Sequence, residues 1–222
     1  MKLIIDDANI EKIKQLYETF PVDGVTTNPS ILARTGGDPH RVLRGLRDFL
    51  GSEGELHVQV LSTDAAGMVA EAGRIRAELG ENTYVKVPVT REGLKAIRLL
   101  AASDCRVTAT AVYTQMQAFL AAKAGAVYAA PYVNRIDNLG GDGVAVARDI
   151  HELFQKNGLK TQVLAASFKN CRQVLELVRC GVGAATVSPD VLEAFLKLDA
   201  VDAAVERFRL DFEGLCGAQA TL

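Results

Sequence analysis

The chain has 222 residues, of which 49% are hydrophobic and 23% charged, a balance that excludes intrinsic disorder because it provides enough apolar mass for a core. Its formal net charge of −2, with both signs interspersed, gives no basic surface for nucleic acid or anionic lipid, so we expect a small-molecule partner. The N-terminus reaches Asp6 and Asp7 too early for a signal peptide, and no stretch is long and apolar enough to span a membrane, which predicts a cytoplasmic protein.

The cysteines and histidines stand at none of the spacings of a metal site or a CxxC redox pair. We therefore expect reduced, mostly buried cysteines and no bound metal. The residues concerned are Cys105, Cys171, Cys180, Cys216, His40, His57 and His151.

Short β-branched apolar runs alternate with longer segments of helical period along the whole chain. The predicted strands are 3–6, 23–27, 56–61, 84–89, 106–112, 127–133, 162–168 and 184–188. The predicted helices are 10–20, 39–50, 65–79, 92–102, 114–124, 143–157, 170–180 and 189–198, followed by an extra helix over about 199–214 that is amphipathic over 201–212. Asp64, Thr90 and Pro189 suit helix starts, and Gly181 suits a helix end.

Eight such strand–helix units, without a linker or a break in composition, predict an α/β protein with a single (β/α)8 TIM barrel domain over residues 1–222. An open doubly wound sheet is the structural alternative. That fold usually has a glycine-rich phosphate loop after its first strand, whereas residues 6–9 here read DDAN.

In a barrel of this kind the site is built at the C-terminal ends of the strands. Side-chain alternation with a period of two places Lys86 inside the barrel and its neighbours Val85 and Val87 against the helices. The same alternation brings polar residues from nearly every unit to one mouth, namely Asp6, Asn28, Gln59, Lys86, Thr110, Tyr132 and Ser167.

Lys86 lies in an apolar strand, where a charged and unpaired lysine is costly to bury. Two interpretations remain open. In the first, the lysine reaches water or pairs with a carboxylate such as Asp6. In the second, burial lowers the pKa of its amine, so that a neutral fraction attacks a carbonyl and forms an imine.

The other polar residues of the mouth also allow two interpretations each. Asp6 either caps the first helix, with Asp7 as its rival, or binds a substrate hydroxyl and moves a proton. Gln59 and Thr110 either form a satisfied polar pair in the core or, together with Tyr132, hold a water that relays a proton to the imine.

A candidate anion site follows the seventh predicted strand, where residues 167–170 read SFKN at a helix start. Free backbone N–H groups there favour a phosphate, and Arg135, after the sixth strand, can reach the same anion. The alternative for Arg135 and Lys169 is solvated surface charge.

Four blocks in this order resemble the transaldolase family, and within it the fructose-6-phosphate aldolase branch. The resemblance runs over essentially the whole chain. The blocks are GVTTNPS at 24–30, VKVPVT at 85–90 with EGL at 92–94, APYVNRID at 130–137, and AASFK at 165–169.

The resemblance implies a class I aldolase that forms a Schiff base through Lys86, without a metal or organic cofactor, and cleaves fructose 6-phosphate to dihydroxyacetone and glyceraldehyde 3-phosphate. It further implies a homo-oligomer, a pentamer or decamer whose C-terminal helix contacts a neighbouring copy. The implied roles are contact with the dihydroxyacetone unit for Asp6 and Asn28, substrate binding for Thr27, a catalytic water for Gln59, Thr110 and Tyr132, and phosphate binding for Arg135, Ser167 and Lys169.

The branch assignment depends on two positions. True transaldolases usually carry Glu at the position of Gln59 and Phe at that of Tyr132, so this chain resembles the aldolases; a transaldolase that transfers the dihydroxyacetone unit between sugar phosphates is the alternative. Asp7, Thr108 and Ser188 depart from the usual pattern. We expect Asp7 to alter the pKa of Asp6 and Thr108 to change the fit of the aldehyde.

Two further hypotheses belong to other classes. A barrel that binds sugar phosphate without catalysis would form no reducible adduct on Lys86. A metal-dependent aldolase is disfavoured because no histidine cluster falls at the predicted strand ends.

Overall fold

The computed structural model describes residues 1–217, which form a closed barrel of eight parallel strands. Each strand pairs with the next along the chain, and β1 pairs with β8 to close the ring. The strands are β1 (Lys2–Asp6), β2 (Gly24–Thr26), β3 (Glu55–Gln59), β4 (Tyr84–Pro88), β5 (Val107–Val112), β6 (Tyr128–Pro131), β7 (Gln162–Ala165) and β8 (Ala184–Val187). The predicted (β/α)8 barrel is confirmed. The domain predicted over 1–222 includes residues 218–222, which lie outside the described residues.

Helices connect the strands around the outside of the ring, and one more helix follows the last unit. They are α1 (Ile10–Thr19), α2 (Pro29–Thr35), α3 (Pro39–Leu50), α4 (Ala65–Leu79), α5 (Arg91–Ala101), α6 (Gln115–Lys123), α7 (Val133–Asn138), α8 (Gly143–Lys156), α9 (Cys171–Cys180), α10 (Pro189–Glu193) and α11 (Asp199–Cys216).

Two short helices, α2 and α7, were not predicted. The segment Asn28-Pro29 carries the start signal of α2, because the Asn28 side chain accepts from the Ile31 amide at 3.0 Å and proline suits a first helical position. The predicted sixth strand 127–133 is too long, since α7 already begins at Val133. The predicted helix 189–198 is also too long, because α10 ends at Glu193.

The helix termini follow local chemistry. Asp64 and Thr90 cap α4 and α5 through bonds of 2.9 Å from the amides three residues later, as predicted. Gly181 ends α9 with φ 70°, in the left-handed region that glycine adopts without strain. Asn9 caps α1, so the interpretation of Asp6 or Asp7 as its cap is wrong.

The strands divide their side chains between the helices and the barrel interior. Val85 and Val87 are fully buried and pack with Ala96 and Ile97 of α5, which confirms the predicted orientation of β4. Side chains of the opposite parity therefore fill the barrel, and Lys86 is one of them.

The C-terminal helix α11 buries none of its residues and exposes large apolar side chains, including Val201, Val205, Phe208 and Leu215. The predicted homo-oligomer stays a prediction. In the part of the chain that the structure describes, no helix combines the length and apolarity needed to cross a membrane.

The four cysteines carry free thiols, as expected for reduced cysteines. The expectation that most of them are buried is wrong, because only Cys105 is buried while Cys171 and Cys180 are half-buried and Cys216 is exposed.

Candidate active site

A cavity of about 160 Å³ lies at the C-terminal ends of the strands, inside the mouth of the barrel. Its lining residues come from seven of the eight strands or the segments that follow them, which explains why the set is scattered through the sequence. They are Asp6, Thr26, Asn28, Ser30, Ile31, Arg34, Lys86, Thr110, Ala130, Tyr132, Arg135, Leu164, Ala166, Ser167 and Thr186.

Lys86 is the buried cation of this cavity, with only 6% of its surface exposed. Its Nζ donates to the backbone carbonyl of Thr27 at 2.6 Å, and among the described residues no carboxylate oxygen lies within ion-pairing distance of it. Burial lowers the pKa of the amine, the charge of Asp6 opposes this, and Arg135 adds to it. The geometry therefore favours a neutral fraction of the amine, as an attacking nucleophile requires.

Asp6 is the acidic member of the cavity and is held by the hydroxyl of Thr26, which donates to its Oδ1 at 2.7 Å. Burial raises the pKa of this carboxyl, while Lys86 and the Thr26 hydroxyl oppose the rise. Asp7 binds the backbone amide of Ala8 and raises the pKa of Asp6 further, the kind of influence expected of it. Burial thus pushes both Asp6 and Lys86 towards their neutral forms.

Thr110 and Tyr132 meet across β5 and β6, with their hydroxyl oxygens 2.8 Å apart. The pairing of the two strands shifts between Ala109 and Val112, where Ala111 has a φ of 56°. Such a bulge re-aims the side chains next to it and is common beside active sites. It brings the Thr110 hydroxyl to the phenol, so two of the three predicted ligands of a catalytic water share one hydrogen bond.

Gln59 is less closely associated with this pair. It lies in register with Lys86 on the neighbouring strand and is half-buried, but it does not line the cavity. It lines instead a second cavity of about 510 Å³ behind α2, together with Pro29 and Val58. Within residues 1–217 no hydrogen bond joins its amide to Thr110 or Tyr132, so its role as a water ligand stays a prediction.

The predicted anion site is partly assembled. Arg135 and Ser167 both line the cavity, and the Arg135 guanidinium stacks over the Tyr132 ring with 4.5 Å between Cζ and the centroid. Ser167 has a φ of 62°, a strained conformation of the kind found at binding sites. Lys169 is exposed and does not line the cavity, so the structure does not bring it to the other two.

The two residues predicted beside Asp6 differ in their placement. Asn28 lines the cavity, and its side-chain oxygen Oδ1 accepts from the Ile31 amide as the cap of α2. Thr27 is fully buried and does not line it. The Thr27 hydroxyl donates to the His57 carbonyl at 3.0 Å, and its own carbonyl accepts from Lys86, so its observed contact is with the lysine.

Four polar residues of the lining were missed by sequence reasoning, namely Thr26, Ser30, Arg34 and Thr186. Thr26 could have been predicted, because it lies in the block 24–30 and side-chain alternation along β2 directs it into the barrel. Ser30 and Arg34 lie on α2, and without that helix their sequence gives no signal of facing the mouth.

Beneath the cavity, the barrel interior holds a second set of polar groups centred on Glu55 and His57. The His57 Nε2 lies 3.3 Å from Glu55 Oε2, and its Nδ1 lies 2.9 Å from the Thr108 hydroxyl. Tyr84 and Tyr128 donate to the same carboxylate at 3.3 and 3.4 Å, and Lys2 pairs with it as well. We refer to these six residues as the lower cluster.

The protonation of the lower cluster follows from its geometry. Burial lowers the pKa of His57 despite the neighbouring carboxylate. An ionised Glu55 only accepts, so its contact with Nε2 assigns a ring proton to that nitrogen. Burial alone raises the pKa of Glu55, but the hydrogen bonds from His57 and Lys2 outweigh it and lower the pKa to about 2. The cluster therefore holds one ionised carboxylate with a full set of donors.

The lower cluster also corrects an expectation about Thr108. This residue is fully buried and contacts His57 rather than lining the cavity, so it has no place at the aldehyde end of a substrate.

Comparison with known families adds one finding to this geometry. The family model described as Transaldolase/Fructose-6-phosphate aldolase matches residues 3–218. Within the described residues, no group of three or more His, Cys, Asp and Glu side chains is arranged to hold a metal ion.

Proposed function

The chain belongs to the transaldolase and fructose-6-phosphate aldolase family, whose members are class I aldolases or transaldolases. Within this family, we propose that the chain is an aldolase that reversibly cleaves fructose 6-phosphate. The products are dihydroxyacetone and glyceraldehyde 3-phosphate. One observation carries the proposal: the Lys86 amine is buried inside a polar cavity and, among residues 1–217, bonds only a backbone carbonyl. An amine without an ion-pair partner keeps its lone pair available for a carbonyl carbon.

The proposed reaction begins when the Lys86 nitrogen attacks C2 of the ketose and water leaves, which gives a protonated imine. The bond between C3 and C4 then breaks, its electron pair moves towards the imine nitrogen, and the hydroxyl on C4 loses a proton. Glyceraldehyde 3-phosphate departs and an enamine remains on the lysine. Protonation at C3 and hydrolysis by water release dihydroxyacetone and restore the amine.

Proton transfer is assigned to the polar groups beside the amine. The Thr110 and Tyr132 hydroxyls, 2.8 Å apart, form one end of a relay whose other member is a water shared with Gln59. Asp6, whose pKa is raised by burial, can exchange a proton and bind a hydroxyl of the dihydroxyacetone unit, with Asn28 beside it.

The phosphate of the aldehyde half is assigned to Arg135 and Ser167, which follow β6 and β7 and line the same cavity as Lys86. Arginine binds phosphate through paired N–H donors, and stacking on Tyr132 fixes the plane of the guanidinium. The phenol thus contacts both the relay and the anion site. We do not include Lys169, which lies away from the cavity.

Release of the enamine distinguishes an aldolase from a transaldolase. A phenol close to the imine favours protonation and release to water, whereas a transaldolase keeps the enamine for a second aldehyde. The test is to incubate the enzyme with fructose 6-phosphate alone and to measure free dihydroxyacetone. Steady production that is absent from Lys86→Met supports the aldolase. No free dihydroxyacetone, with glyceraldehyde 3-phosphate formed only after erythrose 4-phosphate is added as acceptor, makes the enzyme a transaldolase.

A further inference from the structure

Thr27 contacts the reacting nitrogen without reaching the cavity. Its backbone carbonyl accepts from Lys86 Nζ at 2.6 Å, while its side chain is fully buried and does not line the mouth. Over residues 1–217 this is the single hydrogen bond of the amine. A part for Thr27 in catalysis must therefore act through the lysine and not through a contact with substrate.

The Thr27 carbonyl is held in place from both sides. On one side, the Thr27 amide and hydroxyl both donate to the His57 carbonyl of β3, at 2.9 and 3.0 Å. On the other side, Asn28 caps α2 by accepting from the Ile31 amide at 3.0 Å. The peptide group between Thr27 and Asn28, which carries the carbonyl that meets Lys86, therefore has little freedom to turn.

A backbone carbonyl only accepts hydrogen bonds, and this decides which form of the nitrogen it favours. A neutral amine that donates one N–H to the carbonyl keeps its lone pair free for the ketone carbon of a substrate. After water leaves, a protonated imine retains one N–H, whereas a neutral imine has none. An acceptor held at Lys86 Nζ therefore favours the protonated imine, the form that draws electrons from the C3–C4 bond.

We propose that Thr27 is a positioning residue, whose hydroxyl holds its own carbonyl on Lys86 Nζ and so keeps the imine protonated. The inference rests on the proposed function and adds the group that maintains its electron sink. In the step concerned, Nζ bonds to C2 of the ketose, and the C2 oxygen leaves as water with one hydrogen of the amine and one proton from the relay. The other hydrogen and the positive charge remain on the nitrogen, and no bond of Thr27 forms or breaks.

A change at Thr27 leaves the charged and titratable groups around the amine in place. In the part of the chain that the structure describes, they are Asp6 on β1, Arg34 on α2, His57 on β3, and Tyr132 and Arg135 after β6. Thr27→Val removes the hydroxyl and keeps a β-branched side chain. The His57 carbonyl still accepts from the amide of residue 27, so no buried acceptor loses its last donor.

The experiment measures reductive trapping of dihydroxyacetone by sodium cyanoborohydride, which reduces protonated imines in preference to neutral ones, from about pH 6 to 10. Mass spectrometry quantifies the adduct on Lys86, and kcat for fructose 6-phosphate is measured on the same samples. Thr27→Val should move the alkaline midpoint of trapping to lower pH by about 0.5 to 1 pH unit, the contribution of one ordinary hydrogen bond. The kcat should fall by about 3- to 10-fold, with KM within about twofold of wild type.

Thr161→Val is the matched control. Thr161 is also buried, and its hydroxyl donates to the Ala126 carbonyl at 2.7 Å, just before β7 and at the opposite end of the barrel from the cavity. This variant loses the same kind of hydrogen bond away from Lys86, so its trapping profile should match wild type. Thr27→Ser keeps the hydroxyl and should restore the profile. Thr27→Ala removes the hydroxyl without adding a methyl group and gives the same readout if the valine variant does not fold.

Three results overturn the proposal. They are a trapping midpoint in Thr27→Val or Thr27→Ala equal to that of wild type, an equal shift in Thr161→Val, and a shift in Thr27→Ser as large as in Thr27→Val. Failure of the proposed function has a different signature, because wild-type Lys86 then forms no adduct with dihydroxyacetone at any pH.

Discussion

The upper and lower halves of the barrel interior both bury ionisable side chains, but the buried groups of the lower half have more hydrogen-bond partners. In the lower cluster the Glu55 carboxylate has four partners that donate to it, among them His57 and Lys2. In the upper cavity, within the described part of the chain, the Lys86 amine bonds a single backbone carbonyl and Asp6 has one hydroxyl donor. A fully paired charge contributes to structure, whereas an incompletely paired one is available for chemistry.

The contrast shows that burial alone does not identify a catalytic group. His57 is as deeply buried as Lys86, and burial lowers the pKa of both. What separates them is the space beside them, because only the lysine lines a cavity. Substitutions in the upper half should therefore affect activity more than stability, and substitutions in the lower half the reverse.

Lys86→Met should give the largest effect on activity. It removes the only proposed nucleophile, so kcat/KM should fall by a factor on the order of 10⁴ or more. It also removes an amine that is costly to bury, so the free energy of unfolding should not decrease. Kinetics and urea unfolding of the same sample test both statements, and a large loss of stability would place Lys86 with the lower cluster.

Tyr132→Phe should have the next largest effect on activity. It deletes the hydroxyl that bonds Thr110 while keeping the ring under Arg135. The rate of dihydroxyacetone release should fall by about 100-fold, the lower end of the range for a lost proton donor. Thr110→Val is the matched variant, and equal losses in both support a shared relay; a full rate in Tyr132→Phe rules the phenol out.

Glu55→Leu should affect stability more than activity. It leaves His57, Tyr84 and Tyr128 without their common acceptor, which should lower the free energy of unfolding by about 3 kcal/mol. Glu55→Gln keeps an acceptor oxygen and should lose less. Urea unfolding measures the first effect, and kcat of the folded fraction should remain within about twofold of wild type because the cluster does not line the cavity. A selective loss of kcat would mean that the lower cluster takes part in the reaction.

The smallest effects should appear as two pH dependences of stability. The pKa of Glu55 is about 2 in the folded chain and 4.5 as its ordinary value, so the stability it provides is present above pH 4.5 and is lost as the pH falls towards 2. The pKa of Lys86 is lowered from 10.5, so the unfolded chain binds the extra proton below 10.5 and stability rises with pH on the alkaline side.

Urea unfolding between pH 3 and 10 checks this separation with the variants already described. Glu55→Leu should lose the acid dependence and keep the alkaline one. Lys86→Met should keep the acid dependence and lose the alkaline one. If one variant removes both dependences, the two halves of the interior are not independent.

Much of the upper half was predictable from sequence because it depends on strand periodicity. Alternation with a period of two placed Lys86 and Thr110 inside, and the order of the units placed their ends at one mouth. The lower cluster was not predictable, since His57 and Thr108 are 51 residues apart and meet only through the register of β3, β4 and β5. Arg34 was missed because the seven residues of α2 are too few to show a helical period.

The central claim is that Lys86 forms an imine with a ketone substrate. Treatment of the enzyme with dihydroxyacetone and sodium borohydride, followed by mass spectrometry of its peptides, tests it directly. The expected result is one adduct, with the mass of dihydroxyacetone less one water plus two hydrogens, on the peptide that contains Lys86 and absent from Lys86→Met. An unmodified Lys86 peptide, or an adduct on a different lysine, would contradict the account.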